Sequence, residues 1–368
     1  MYNLRHREQK KKEVIMYPLL RFNKQQIYDN TVAVVKRAAA HDIDITAITK
    51  CTAANPDIAE AFLKGGATAL GDSRIRNLRH LQDFKCNKWL IRIPMLSEVQ
   101  DTVMFSTLSL NSEYKTIEAL NEAATKYHKI HDILLMVDVG DLREGYFNPN
   151  NLYAEIEKIK QLRHIRLRGV GANSTCIGAT IPSPSTYNQL ADIQYHLIHH
   201  YGIPCDILSA GNSSAYYMIE NHTMPSFVTN LRIGELILFG NETSFGKKYE
   251  YMHSDNFILE VEIVELKEKP SVPIGKIGID AFGNKPSFED KGVRKRAILG
   301  IGKQDTSIDD LTPLDQAISI IGASSDHLVI DVTDSDKPYH VGDIVNFRCN
   351  YVSALHASTS SYLEAKKI

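Results

Sequence analysis

Between Asn23 and Leu238, short apolar runs alternate eight times with segments of helical periodicity, and this alternation limits the fold more than any other feature of the chain. The runs fall at residues 44–50, 67–70, 89–93, 107–110, 133–139, 167–172, 207–210 and 231–238. They are strand-sized, and several are rich in Ile, Val, Leu and Thr, so each reads as a buried strand. Among the intervening segments, Ile27, Val32, Val35 and Ala39 recur at helical intervals. Asn55-Pro56-Asp57 starts a second helix that Gly65-Gly66 ends, and Asp72-Ser73 caps a third. Helical patterns also cover 97–104, 114–128, 152–162 and 185–201. A strand–helix unit repeated eight times predicts an eight-stranded (β/α) barrel of the TIM type.

After Phe239 the texture changes. Residues 256–266 alternate polar and apolar, and strand-like runs at 295–301, 317–321, 327–332 and 344–347 follow among glycine-rich turns. This predicts a second, mostly antiparallel β domain over 249–368, after a barrel over 17–248. Residues 1–16 read as an extension: Arg5-His6-Arg7 and Lys10-Lys11-Lys12 form a solvated basic tail, and Met16 is a second plausible start. No apolar core follows the basic stretch, so no secretory leader is expected. With 368 residues, 43% of them hydrophobic, there is material for two bodies.

A net charge of −2 creates no general field toward nucleic acid or an anionic membrane. The apolar runs, such as 133–137, are far shorter than a bilayer span. The five cysteines are odd in number and scattered, without a C-x-x-C pair or zinc-type spacing, which predicts a reducing cytoplasm and no metal. Cys51 reads as a buried, inert thiol.

Chemistry in such a barrel sits where strands end at the C-terminal face. Lys50 closes the first run. Ser209-Ala210-Gly211-Asn212-Ser213-Ser214 is a small hydroxyl-rich turn leading into a helix, a geometry that cradles phosphate. Leu231-Arg232-Ile233-Gly234-Glu235 joins an arginine to a glycine that permits close backbone approach. Asp138 to Gly145 brings Asp141, Arg143 and Glu144 to the same face. Each also has a plain structural reading: a surface lysine, a helix cap, an arginine tied to a carboxylate, an exposed charged loop.

Taken together, these motifs resemble the alanine racemase superfamily of pyridoxal-phosphate enzymes, and within it the ornithine racemase branch. The resemblance runs from Tyr17 onward. It is carried by Thr49-Lys50, by Asp72-Ser73-Arg74-Ile75-Arg76-Asn77-Leu78, by Gly211-Asn212-Ser213-Ser214-Ala215 and by Arg232-Ile233-Gly234. In the C-terminal part it rests on Asp280-Ala281-Phe282-Gly283, Arg294-Lys295-Arg296-Ala297-Ile298-Leu299 and Gly322-Ala323-Ser324-Ser325-Asp326-His327-Leu328.

The resemblance implies a racemase that exchanges the Cα proton of a free amino acid, with ornithine the expected substrate. It also implies a homodimer whose sites lie at the subunit interface. Pyridoxal phosphate would be held through a Schiff base on Lys50, with Arg143, Asn173, Ser213, Arg232, Gly234 and Glu235 around it. Arg232 would face the pyridine nitrogen, and Arg143 the phenolic oxygen. The superfamily's two tyrosines are replaced by Ala54 and Phe282, a lysine that braces Arg143 by Met136, and a histidine near the ring by Asn173.

Phenylalanine carries no proton, so a second acid/base beside Lys50 is expected elsewhere. Asp280 is the leading candidate, ahead of Asp326 and His327. A cationic side chain on the substrate would need a carboxylate or polar contacts, for which Asp141, Glu144, Ser325 and Asp326 are candidates. Two other readings stay open. One is a same-fold aldolase or dehydratase, whose His-x-Cys metal pair has no counterpart in the widely spaced Cys349 and His356. The other is a barrel-only cofactor carrier.

Overall fold

The structure, a computed structural model, describes residues 16–279, 282–283 and 285–368. Strand β1 (Leu19–Phe22) and helix α1 (Lys24–Ala39) come first, followed by β2 (Asp44–Ile48), α2 (Pro56–Lys64), β3 (Ala69–Asp72), α3 (Ile75–His80), β4 (Asn87–Leu90) and α4 (Val99–Phe105). The alternation continues through β5 (Leu108–Asn111), α5 (Tyr114–Lys126), β6 (His131–Met136), α6 (Pro149–Ile159), β7 (Ile165–Ala172) and α7 (Asn188–His199). It ends with β8 (Ile207–Ala210), α8 (Tyr217–Glu220), β9 (Asn230–Ile233) and α9 (Glu235–Phe239).

Strands β2 to β9 close a parallel barrel, and the seam is sealed by β2 against β9, with Thr46 opposite Arg232. Local signals place the helices. The Asn23 side chain caps α1 by accepting from Gln26 N, and Asn55 caps α2 ahead of Pro56. The barrel interior has two characters. Ala69, Trp89, Leu108, Leu110, Leu134 and Met136 pack as an apolar cluster, while Thr46, Ser209, Asn230 and Arg232 form a buried polar chain.

The second body is built on β10 (Phe257–Pro270), a 14-residue strand long enough to serve two groups of neighbours. Its first half pairs with β1 and with β15 (Ile344–Cys349), and its second half with β11 (Val293–Leu299). Strands β12 (Leu311–Pro313), β13 (Ser319–Ala323) and β14 (Leu328–Asp331) extend the sheet in the order β12-β15-β10-β11-β14-β13. Helix α10 (Tyr351–Thr359) and strand β16 (Glu364–Lys367) complete it, and β16 runs parallel to β1.

An α/β barrel followed by a mostly β domain is the architecture expected from the sequence. Two details differ. β1, expected with the barrel, belongs to the second sheet. The run at 231–238, expected as one strand, is β9 followed by α9, because the chain turns at Gly234 (φ −131°, ψ −70°). An apolar run of that length fits a buried strand or a buried helix equally well, and only the turn decides.

Candidate active site

At the C-terminal ends of the barrel strands lies a cavity of about 250 Å³. Lys50, Arg143, Asn173, Ser213, Arg232 and Glu235 all line it, together with Gly234. Strand β2 stops at Ile48, and Lys50 begins a short 3-10 turn, Lys50–Thr52. That turn is anchored by the buried Thr49 hydroxyl, which donates to Asp72 Oδ2 at 2.7 Å. Asp72 in turn accepts from Arg74 N and Asn77 Nδ2. Burial raises its carboxyl above the ordinary range, and those hydrogen bonds oppose the shift.

α10 docks the second body beside this turn. Tyr351, its first residue, faces the cavity with its ring centroid 5.9 Å from Lys50 Nζ, and Cys51 Sγ lies 3.6 Å from the Tyr351 carbonyl oxygen. Burial pushes the Cys51 thiol far up, which leaves it inert. Sequence reasoning missed Tyr351. The available signal was Asn350, whose side chain caps α10 by accepting from Val352 N and Ser353 N.

A small anion would find donors on the next side of the mouth. Gly211 takes φ +96°, so the turn after β8 can fold tightly, and Asn212 Oδ1 accepts from Ser214 N at 2.8 Å. The buried Ser213 hydroxyl accepts from Leu236 N, which joins this turn to the start of α9. The buried Ser214 hydroxyl has no partner among the described residues. A Cβ on Gly234 would come within 3.1 Å of Ile48 Cβ, so the chain passes close to β2 there. The Ser213 hydroxyl at the cavity wall and a close backbone approach fit a phosphate.

Arg232 rises from the barrel floor. Its Nη2 donates to the Ala172 carbonyl at 2.6 Å, and its Nη1 to the Ser209 carbonyl at 3.1 Å and to the Ser209 hydroxyl. That hydroxyl donates to Asn230 Oδ1 at 2.6 Å, and Asn230 Nδ2 donates to Thr46 Oγ1 at 3.0 Å. Among the described residues no carboxylate forms an ion pair with Arg232. Burial pulls it down to about 10, so it stays protonated at neutral pH. A buried cation held only by neutral acceptors suits an electron-rich partner in the cavity.

Glu235, the first residue of α9, is pushed up to about 7 by burial, against the opposing pull of Lys50. The folded chain therefore binds this proton more tightly than the unfolded chain. The carboxylate costs stability that grows as the pH rises from the ordinary glutamate range to about 7, and is constant above it. Glu235→Gln, freed of small molecules, should be more stable than the wild type at pH 8 by on the order of 1–3 kcal/mol, and equal to it near pH 4. Thermal unfolding at the two pH values checks this, and an unchanged difference between them would refute it.

Across the mouth, Arg143 pairs with Glu144 rather than with a lysine, since Met136 is buried at the end of β6. With its amide oxygen turned to Arg143, Asn173 accepts from Nη1 at 3.2 Å. Asp141 is not brought into the cavity. It is 1% exposed, and its carboxylate accepts from Cys176 N, Ile177 N and the Thr180 hydroxyl, so it braces the loop after β7 instead of meeting a ligand. Ser325, Asp326 and His327 lie in the turn between β13 and β14 and do not line the cavity of this chain. The Asp326 carboxylate accepts there from the Ser324 and Ser325 hydroxyls. Asp280 lies outside the described residues, as does nearly all of the expected extension at 1–16.

Residues 22–242 match the family model described as alanine racemase, N-terminal domain. The chain is 46% identical over 349 residues to an ornithine racemase of Acetoanaerobium sticklandii, covering 95% of this chain and 99% of that one. It is 37% identical over 352 residues to a lysine racemase of Thermotoga maritima, covering 95% and 98%. Among solved structures it is similar to an alanine racemase of Bartonella henselae with covalently bound pyridoxal phosphate, at 17% identity and a TM-score of 0.72, over 96% of this chain and 100% of that one.

Proposed function

The chain belongs to the alanine racemase family, and from that premise we propose that it is a pyridoxal-phosphate-dependent racemase of ornithine. The observation that carries this reading is the one cavity that gathers Lys50, the Ser213 hydroxyl and the buried Arg232, which has no counter-carboxylate among the described residues. Ornithine is favoured by the 46% identity with a relative of that name. It is also favoured by Glu235, a carboxyl group lining the cavity, which suits a substrate with a second ammonium group.

Pyridoxal phosphate, when bound, supplies an electron-withdrawing ring that acidifies the Cα–H bond of an amino acid. The protein's part is to hold and to move protons. Lys50 would be the covalent anchor, and its amine the base that takes or returns the Cα proton on its own side. Ser213 and the backbone near Gly234 would hold the cofactor's phosphate. Arg232, remaining protonated, would face the ring nitrogen and disfavour its protonation, which would moderate the ring's pull and favour simple proton exchange. Arg143, with its charge shared by Glu144, lies on the opposite rim for the substrate carboxylate or the phenolic oxygen.

We read the enzyme as a cytoplasmic homodimer. Five free cysteines are in keeping with a reducing compartment, and no described helix is long and apolar enough to cross a membrane. Exposed Leu142, Phe147, Ile177 and Phe245 on the loops around the site favour a covering partner.

The test is chiral chromatography after incubating the cofactor-loaded protein with L-ornithine, L-lysine, L-alanine and L-serine separately. D-Ornithine should form fastest, with D-lysine next. Faster inversion of alanine or serine would overturn the substrate. Inversion of none, with cofactor bound, would overturn the reaction in favour of aldol chemistry or a carrier.

A further inference from the structure

Inverting a stereocentre by proton exchange needs a proton taken from one side and another returned on the opposite side. Lys50 serves one side, so the opposite side needs a second carrier. Besides Lys50, the thiols, carboxyls and phenol that line the cavity among the described residues are Cys51, Glu144, Cys176, Glu235 and Tyr351. Cys51, Glu235 and Tyr351 gather around Lys50 itself: Cys51 is its neighbour in the 3-10 turn, Tyr351 packs over that turn, and Glu235 follows β9, which pairs with β2. Glu144 is occupied by the Arg143 guanidinium through both carboxylate oxygens. Only Cys176 stands apart.

Cys176 follows β7, which is separated from β2 around the closed barrel by β8 and β9, so the thiol lies across the mouth from Lys50. Its position is built with care. The preceding Thr175 takes φ +62°, a left-handed conformation that β-branched residues rarely adopt, and its hydroxyl donates to the Thr180 carbonyl at 2.7 Å. The Cys176 N–H donates to the buried Asp141 carboxylate at 3.1 Å. With Asn173 turned as above, the sulfur lies 2.9 Å from its amide oxygen, which the thiol can donate to, and 3.6 Å from Asn212 Nδ2. Asp141 therefore acts on the reaction indirectly, by holding the loop that presents this thiol.

We propose that Cys176 is the second acid/base, working on the face of Cα opposite Lys50; this rests on the racemase reading above. In one direction the Cys176 thiolate takes the Cα proton and becomes a thiol, while the Lys50 ammonium gives a proton to the other face and becomes an amine. In the reverse direction the Lys50 amine takes the proton and the Cys176 thiol gives one. After either turnover the pair regains its starting protonation by exchange with solvent, so no other reactant is consumed.

Cys176→Ala and Cys176→Ser test this in the cofactor-loaded protein, in heavy water, against L- and D-ornithine. Racemisation should fall about 100- to 10 000-fold in both directions, the range for loss of a positioned acid/base. Deuterium should still enter Cα of the one enantiomer whose hydrogen faces Lys50, and the absorbance of bound cofactor should persist. Independently of activity, iodoacetamide should label Cys176 in the cofactor-free protein ahead of the buried Cys51, Cys205 and Cys349, and loading the cofactor should slow that labelling. Racemisation within about threefold of wild type, or equal loss of exchange from both enantiomers, overturns the assignment. A wild type that inverts no amino acid overturns this proposal and the racemase reading together, whereas a Cys176→Ala variant that inverts at close to the wild-type rate overturns this proposal alone.

Discussion

Lys50→Ala should lower racemisation by about 10 000-fold, the upper end of what removing a positioned acid/base costs, and should abolish the visible band of lysine-bound cofactor. Two functions are lost together, the covalent anchor and the proton carrier on one face. The fold should survive. Lys50 is only half-buried, and the turn it starts is held by Thr49, Asp72 and the docking of Tyr351 rather than by the lysine side chain. An unfolding temperature close to wild type beside a missing band would therefore locate the defect in chemistry. A variant that kept the band would remove Lys50 from its assigned role.

Arg232→Ala should damage both stability and catalysis. Arg232 is 4% exposed, and its removal leaves the carbonyls of Ser209 and Ala172 without these donors in the barrel interior, at a cost of about 2–4 kcal/mol. At saturating cofactor, racemisation should still fall roughly 100- to 1000-fold, as when one preorganised donor is withdrawn. Arg232→Lys should rescue little. An ammonium cannot span the Ser209 and Ala172 acceptors and a cavity ligand at once, as the planar guanidinium does. Thermal unfolding and turnover at high cofactor separate the two losses, and wild-type rates in Arg232→Lys would refute the assigned role.

The barrel was legible because its strands are buried on all sides and leave uninterrupted apolar runs between amphipathic helices. The site was legible to the extent that its residues follow those strands. Lys50, Ser213 and Arg232 could be found by asking what stands at a strand end, and the structure gathers them in one cavity. Tyr351 could not, because it reaches the cavity from another body and is distant in sequence from every other lining residue. Asp141 misled for a different reason. A carboxylate on a loop at the right face looks like a ligand, and only the folded loop reveals that backbone N–H groups already occupy it. β1 and β16 were hidden because each is four residues long and has no pattern of its own; they are strands only because they find each other and β10.

That last pairing bears on how the molecule is born. Leu19–Phe22 is made long before Glu364–Lys367. At 5–20 residues per second the first strand waits roughly 20 to 70 s for its neighbour. All eight barrel strands emerge in the interval, so the turn bearing Lys50 can be shaped while Tyr351 is still unmade. The nascent chain thus carries Lys50 in an unfinished mouth, and the helix that finishes it belongs to the body that β16 completes.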